Sequence, residues 1–137
     1  MLLADTTFVI DLLRNRHNVS EVQKRHENEN IGLSLLSISE LYTGLYYTQQ
    51  KLGEEIFNQK LKDLQNILLN FDIMDSNEVI MVFAGEMRAN QLMKGNTIDM
   101  VDLIIGATSK FYHVSSIITR NIAHFECWKI PLIDYEK

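Results

Sequence analysis

The sequence is short of the residues that staple or punctuate a chain. It has one cysteine, Cys127, one proline and six glycines in 137 residues. A lone cysteine excludes an intramolecular disulfide framework and a cysteine-based zinc site, and it fits a reducing, cytoplasmic setting. With so little proline and glycine there is no linker to separate two domains, so residues 1–137 are expected to form one domain with a proper core. Apolar runs are all far shorter than a bilayer span, so no membrane helix is expected. The opening stretch, MLLADTTFVIDLL, has no basic segment and carries two acids, unlike a secretory signal. Positive charge is also scarce: 13 Lys and Arg stand against 18 Asp and Glu, a net charge of −5. That excludes a protein that coats nucleic acid non-specifically. It does not exclude an enzyme that reaches nucleic acid through bound cations, since clustered acids would themselves contribute to the count.

What is present is an alternation of short apolar runs and helical stretches. Residues 2–5 read as a buried strand that turns at Asp5-Thr6 into a helix ending near Asn15. Residues 19–30 are polar, a short surface helix and loop. Residues 31–36 (IGLSLL) read as a second strand. Ser37-Ile38-Ser39-Glu40 then fits a capping box, followed by Leu41, Leu45 and the aromatic stripe Tyr42, Tyr46, Tyr47, a candidate interface. Residues 52–69 are a long amphipathic helix, 71–74 a third strand, and a helix from Asp75-Ser76 runs to Gly95 as its C-cap. Met81, Met87 and Met93 read as core or interface filler. A further helix runs to about Tyr112, residues 114–119 (VSSIIT) form a fourth strand, and residues 122–125 a short turn of helix. Residues 130–133 form an edge strand, where Pro131 is tolerated. The fold class is therefore α/β, with a central, mostly parallel sheet of four to five strands flanked by helices on both faces.

The stretch GNTIDMVDLIIGATS, residues 95–109, carries the strongest chemical signal. Asp99 and Asp102 stand three apart and share a helix face, just ahead of a buried helix body. A carboxylate beside a buried helix is costly unless something compensates it. Capping is one account of these acids: Asp99 as N-cap with Asp102 three residues on, or Thr97 as the cap with Asp99 in the first turn. Asp5 has the same dual reading, strand-end acid or N-cap, and Glu40 is explained equally by folding back to cap its own helix. Asp11 reads as solvated. In α/β sheets, however, ligands bind beyond the carboxyl ends of the strands. Asp5, Glu40, Asp99, Asp102 and Asn121 can all face that edge. Capping explains each acid singly but not their shared address.

Three or four carboxylates in one pocket repel one another unless a cation sits among them. Hard oxygen ligands select Mg²⁺ or Mn²⁺, which activate water and polarise a phosphodiester. Asp5 and Asp102 are expected to hold the metal directly. Glu40 and Asp99 would bind through water or orient the attacking one, and Asn121 with the Thr119 hydroxyl would complete the polar shell. Arg14, Arg16, Lys94, Lys110 and Arg120 are candidates for phosphate contact.

On these motifs the chain resembles the PIN-domain ribonucleases, and among them the VapC-like toxins of type II (VapBC) toxin–antitoxin pairs. The residues that carry the resemblance are Asp5-Thr6 with FVIDLL, SISELYTG at 37–44, Asp102 before LIIGAT, and TRNIAHF at 119–125. They fall in order along nearly the whole chain. The resemblance implies a Mg²⁺- or Mn²⁺-dependent endoribonuclease acting on structured RNA, often tRNA or rRNA. It also implies a homodimer, and a VapB-like antitoxin whose tail enters the acidic site. Asp5, Glu40 and Asp102 match the family's three principal acids and are the expected metal ligands. Asn121 stands where many members have a fourth acid, which keeps open an alternative, a module that binds RNA or protein without cutting. His124 reads as structural. A haloacid-dehalogenase-type phosphatase would need D-x-D-x-T, a dinucleotide fold would need G-x-G-x-x-G, and neither pattern is here. A phospho-receiver domain would leave the Asp99/Asp102 pair unexplained.

Overall fold

A computed structural model describes residues 1–136, with the backbone alone described for His17. The elements in order are β1 (Leu2–Ala4), α1 (Thr6–Leu13), α2 (His17–Arg25), β2 (Ile31–Ser34), α3 (Leu35–Leu52), α4 (Glu54–Leu68), β3 (Asp72–Met74), α5 (Glu78–Met93), α6 (Met100–Phe111), β4 (Ser116–Thr119), α7 (Ile122–Phe125) and β5 (Leu132–Asp134), with a 3₁₀ turn at Glu126–Trp128. The strands form one sheet in the order β3-β2-β1-β4-β5, and every pairing is parallel. The expected α/β class holds, with five strands and no antiparallel pair among the described residues.

Side chains alternate across a strand, and the sheet is covered on both faces in consequence. Leu2 and Ala4 join Phe8, Val9, Leu41, Leu45, Phe57 and Leu64 in one core, under α1 to α4. Leu3 and Ile117 join Ile80, Leu103, Ile105, Phe125 and Trp128 in the other, under α5 to α7. The chain first winds outward from β1 to β2 and β3, then crosses back to place β4 on the other side of β1. The crossover direction reverses between β1 and β4, and such a switch point opens a crevice beyond the carboxyl ends of the strands.

Element boundaries differ from the sequence reading in several places: α2 starts at His17, β4 at Ser116, and β5 at Leu132, just past Pro131. The expected capping box at Ser37 is not the start of α3. Ser34 is the N-cap, its hydroxyl accepting from the Leu36 N–H. Residues 35 and 36 belong to the helix rather than to the strand. The long helix over 52–69 begins at Glu54, because Gly53 turns the chain at φ 89°. The helix expected from Asp75 begins at Glu78, capped by the Asn77 side chain on the Ile80 N–H. Gly95 does follow α5 in the left-handed region, at φ 77°.

Candidate metal centre

Asp5 sits at the carboxyl end of β1, its N–H held by the Ile118 carbonyl of β4. Both sequence readings of this residue hold at once. Its side chain caps α1, Oδ1 accepting from the Phe8 N–H at 3.0 Å and from the Thr7 hydroxyl at 2.7 Å. Its other oxygen, Oδ2, accepts from the Thr119 hydroxyl at 2.6 Å. Thr119 in turn accepts the Asn121 N–H at 2.9 Å. The carboxyl is wholly buried. Burial raises its pKa to about 6, against the pull of the three hydrogen bonds and with a push from the Asp102 charge.

Glu40 does not fold back onto its own helix. It lies two turns into α3 and faces α1, where Thr6 Oγ1 is 2.6 Å from its Oε1 and 2.9 Å from Ser37 Oγ. Thr6 has one proton to give, so it donates to the carboxylate and accepts from Ser37. The Glu40 pKa is raised by burial, lowered by the Thr6 bond, and raised again by the charges of Asp102 and Asp99.

Asp99 is the N-cap of α6, its Oδ1 accepting from the Val101 N–H at 3.1 Å. Asp102 follows in the first turn, and the Nδ1 of His124 lies 2.7 Å from its Oδ2. Burial raises the Asp102 pKa, the hydrogen bond and charge of His124 lower it, and Asp99 raises it. From the sequence His124 reads as structural. Its half-exposed ring gives its polar edge to an acid of the site. The signal was present in TRNIAHF, where His124 adjoins the apolar anchor Phe125, but only the fold brings it to Asp102.

Asp5, Glu40, Asp99 and Asp102 thus feel one another's charge, Asp102 being common to all the couplings except that between Glu40 and Asp99. Among the described residues no three Asp, Glu, His or Cys side chains are drawn into a formed ligand set. Each acid is held by a different neighbour: Asp5 by Thr7 and Thr119, Glu40 by Thr6, Asp102 by His124. The donor chemistry nevertheless fits a hard cation. All the donors are carboxylate oxygens, which suit Mg²⁺ or Mn²⁺. Among the described residues no hydrogen bond reaches Glu40 Oε2 or Asp102 Oδ1.

The remaining candidates separate clearly. Asn121 precedes α7 beside Thr119, and its side chain makes no cap. Arg14 lines a groove with Glu40, Leu41, Gly44 and Lys60. Arg16 and Arg120 both pair with Asp11, at 3.7 and 3.3 Å, and Lys110 lies over the Phe83 ring at 4.3 Å. Asp11 itself departs from its sequence reading. It is fully buried rather than solvated, and its Oδ2 takes the Tyr135 hydroxyl at 2.7 Å. In the aromatic stripe Tyr46 and Tyr47 are exposed. Tyr42 is partly buried against the core. Met93 and Met81 are exposed as well, while Met87 packs against the core under α5. No described helix is long and apolar enough to cross a membrane.

A family model, the PIN domain, matches residues 2–126. No curated protein sequence matches the chain. Among solved structures, FitAcB from Neisseria gonorrhoeae is similar over 99% of this chain and 99% of its own, at 23% identity and a TM-score of 0.86. VapBC2 from Rickettsia felis, bound to a DNA fragment from its promoter, is similar over 97% and 98%, at 18% identity and a TM-score of 0.82. VapBC-1 from nontypeable Haemophilus influenzae is similar over 99% and 98%, at 21% identity and a TM-score of 0.80.

Proposed function

The chain belongs to the PIN-domain family, and from that premise we propose that it is a divalent-metal-dependent endoribonuclease, the VapC-like toxin of a toxin–antitoxin pair. One observation supports the reading above others. Acids from three separate stretches, Asp5, Glu40 and the Asp99/Asp102 pair, share one electrostatic field at the switch point between β1 and β4. A fold that needed only helix caps would have no reason to bring them together.

In this reading Asp5, Glu40 and Asp102 hold Mg²⁺ or Mn²⁺. Once bound, the ion polarises the phosphodiester, makes a nearby water a better nucleophile and stabilises the departing oxygen. Thr7 and Thr119 clamp Asp5 from its two oxygens, so that its position does not depend on the ion. Thr6 fixes Glu40. Asp99 binds through water or orients the attacking one, and Asn121 with the Thr119 hydroxyl completes the polar shell. Arg14, beside Glu40 in the groove, is placed to meet a phosphate of the RNA. The same groove, running from Glu40 along α3 to α4, gives an antitoxin segment a path to the acids. The substrate is structured RNA, tRNA or rRNA, the working form a cytoplasmic homodimer, and the cognate partner a VapB-like antitoxin.

The deciding experiment is cleavage of an RNA pool with added Mg²⁺ or Mn²⁺, by wild type and Asp102→Asn, with a chelator control. Wild type is expected to cut, chelator to stop it, and Asp102→Asn to lose cleavage by at least about a hundredfold while keeping its circular-dichroism spectrum. No cleavage of any RNA by wild type, with no divalent binding in calorimetry, overturns the enzyme and leaves a binding module. Loss of folding in Asp102→Asn assigns that acid to the fold instead, through its place in the first turn of α6 and its bond to His124.

A further inference from the structure

We propose that His124 is a positioning residue for the metal centre. Its Nδ1–H holds Asp102 Oδ2, turns Oδ1 toward the other acids and so sets the affinity of the site for its ion. The proposal rests on the metal-site reading of Asp5, Glu40 and Asp102 above.

Three observations carry it. First, the bond is short and direct: 2.7 Å from Nδ1 to Oδ2, across 22 residues of sequence. An ionised carboxylate only accepts hydrogen bonds, so Nδ1 must carry the proton. Second, the ring is not a packing element. The His124 side chain is 46% exposed, against 19% for Asp102. The short helix α7 is instead anchored by Phe125, which is fully buried. Third, the geometry leaves a choice that a ligand needs made. Asp102 has two oxygens, and among the described residues only Oδ2 has a hydrogen-bond partner. Fixing one oxygen of a carboxylate orients the other and removes the rotamer freedom that ion binding would otherwise have to restrict. Partners of this kind behind a ligating group typically set metal affinity by about ten- to a hundredfold.

The placement also ties two late elements of the chain together. Asp102 enters from the start of α6, and His124 from α7, the short helix after β4. Thr119 at the end of β4 already holds Asp5. The residues 119–124 therefore grip two acids of the site from one short segment, Asp5 through a hydroxyl and Asp102 through an imidazole.

The test uses the full chain and Mn²⁺ alone as the probe, titrated by calorimetry into wild type, His124→Asn, His124→Gln and His124→Leu. Asn places an amide nitrogen near the Nδ1 position, whereas Gln reaches past it and Leu offers no donor. Wild type and His124→Asn are expected to bind Mn²⁺ alike, and the Gln and Leu variants about ten- to a hundredfold more weakly, all with unchanged circular-dichroism spectra. Nitrogen NMR of the ion-free protein gives a second readout. The His124 ring should carry its proton on Nδ1 in wild type and lose that preference in Asp102→Asn. Equal affinity in wild type and both the Gln and Leu variants overturns the proposal, as does an Asn variant as weak as Leu. If Leu does not fold, the Gln variant and the ring-nitrogen signal decide alone. A wild type that binds no Mn²⁺ overturns the metal reading of the site, and this proposal with it, which separates the two failures.

Discussion

Asp5 accepts three hydrogen bonds and still titrates near 6, because its carboxyl has been taken out of water. In the unfolded chain it titrates near 3.8. Between those values the folded state binds more protons than the unfolded one, so this group makes stability fall as pH rises from about 4 through 6. The full cost of moving the carboxyl from 3.8 to about 6 is roughly 3 kcal/mol, and it is present above pH 6. Glu40 and Asp102 are shifted in the same direction. In chelator, Asp5→Asn is expected to melt above wild type at pH 7, by no more than that cost, and to show a shallower fall between pH 4 and 7. Added Mg²⁺ should return the stability to wild type and do little for the variant. Parallel melting curves for the two proteins would show that ionising Asp5 costs the fold nothing. Single residues also mark what the sequence could and could not disclose. Asp5, Glu40 and Asp102 stood out because each is an acid set against apolar sequence, Asp5 just after a strand and the other two early in helices. Asp11 and His124 did not, because their partners, Tyr135 and Asp102, lie 124 and 22 residues away. Asp11 is wholly buried between Tyr135 and two arginines. Asp11→Ala leaves the Tyr135 hydroxyl with only the longer contact to Thr7, at 3.3 Å, removes the partner of two arginines, and should cost about 2–4 kcal/mol in urea unfolding. A cost below about 0.5 kcal/mol, the usual range of surface changes, would mean that the network is ornamental.

Among the elements, α3 shows why a local motif can mislead. Ser37-x-x-Glu40 has the right letters for a cap, but Ser34 has already started the helix three residues earlier. Both residues of the supposed box face Thr6 instead. The two leucines after Ser34 read as strand by composition, and only the tertiary fold assigns them to helix. Two helical glycines give opposite predictions from the same geometry. At Gly44 in α3 an added Cβ meets no atom within 4 Å. Close packing is therefore not its use, and Gly44→Ala should gain up to about 1 kcal/mol from helix propensity. At Gly106 in α6 an added Cβ collides with the indole of Trp128, including Nε1. Trp128 is buried in the second core, so its indole can shift only by displacing core neighbours. Gly106→Ala should therefore cost about 1–3 kcal/mol. Urea unfolding of the two variants side by side checks both, and the same sign for both would refute the packing account.

For the molecule as a whole, the alternation of strands and helices was readable because periodicity is a local property. The order of the strands was not, since pairing joins segments far apart. β1 finds its second neighbour in β4, and the bond from Thr119 to Asp5 closes 114 residues of chain. Contacts of that separation make parallel sheets slow to form. They also fix when the site comes into being. A chain still emerging from the ribosome carries Asp5 and Glu40 early, yet β1 has only one of its two neighbours. Asp5 then lacks Thr119, Asp102 lacks His124, and Leu3 waits for the second core. Asp5 and Asp102 cannot take up the bonds they have in the folded chain until residues 119–124 have been made. Under the proposed ribonuclease reading, the strand order itself would spare the message being translated, and the interval before β4 docks would be time in which a partner can be present first.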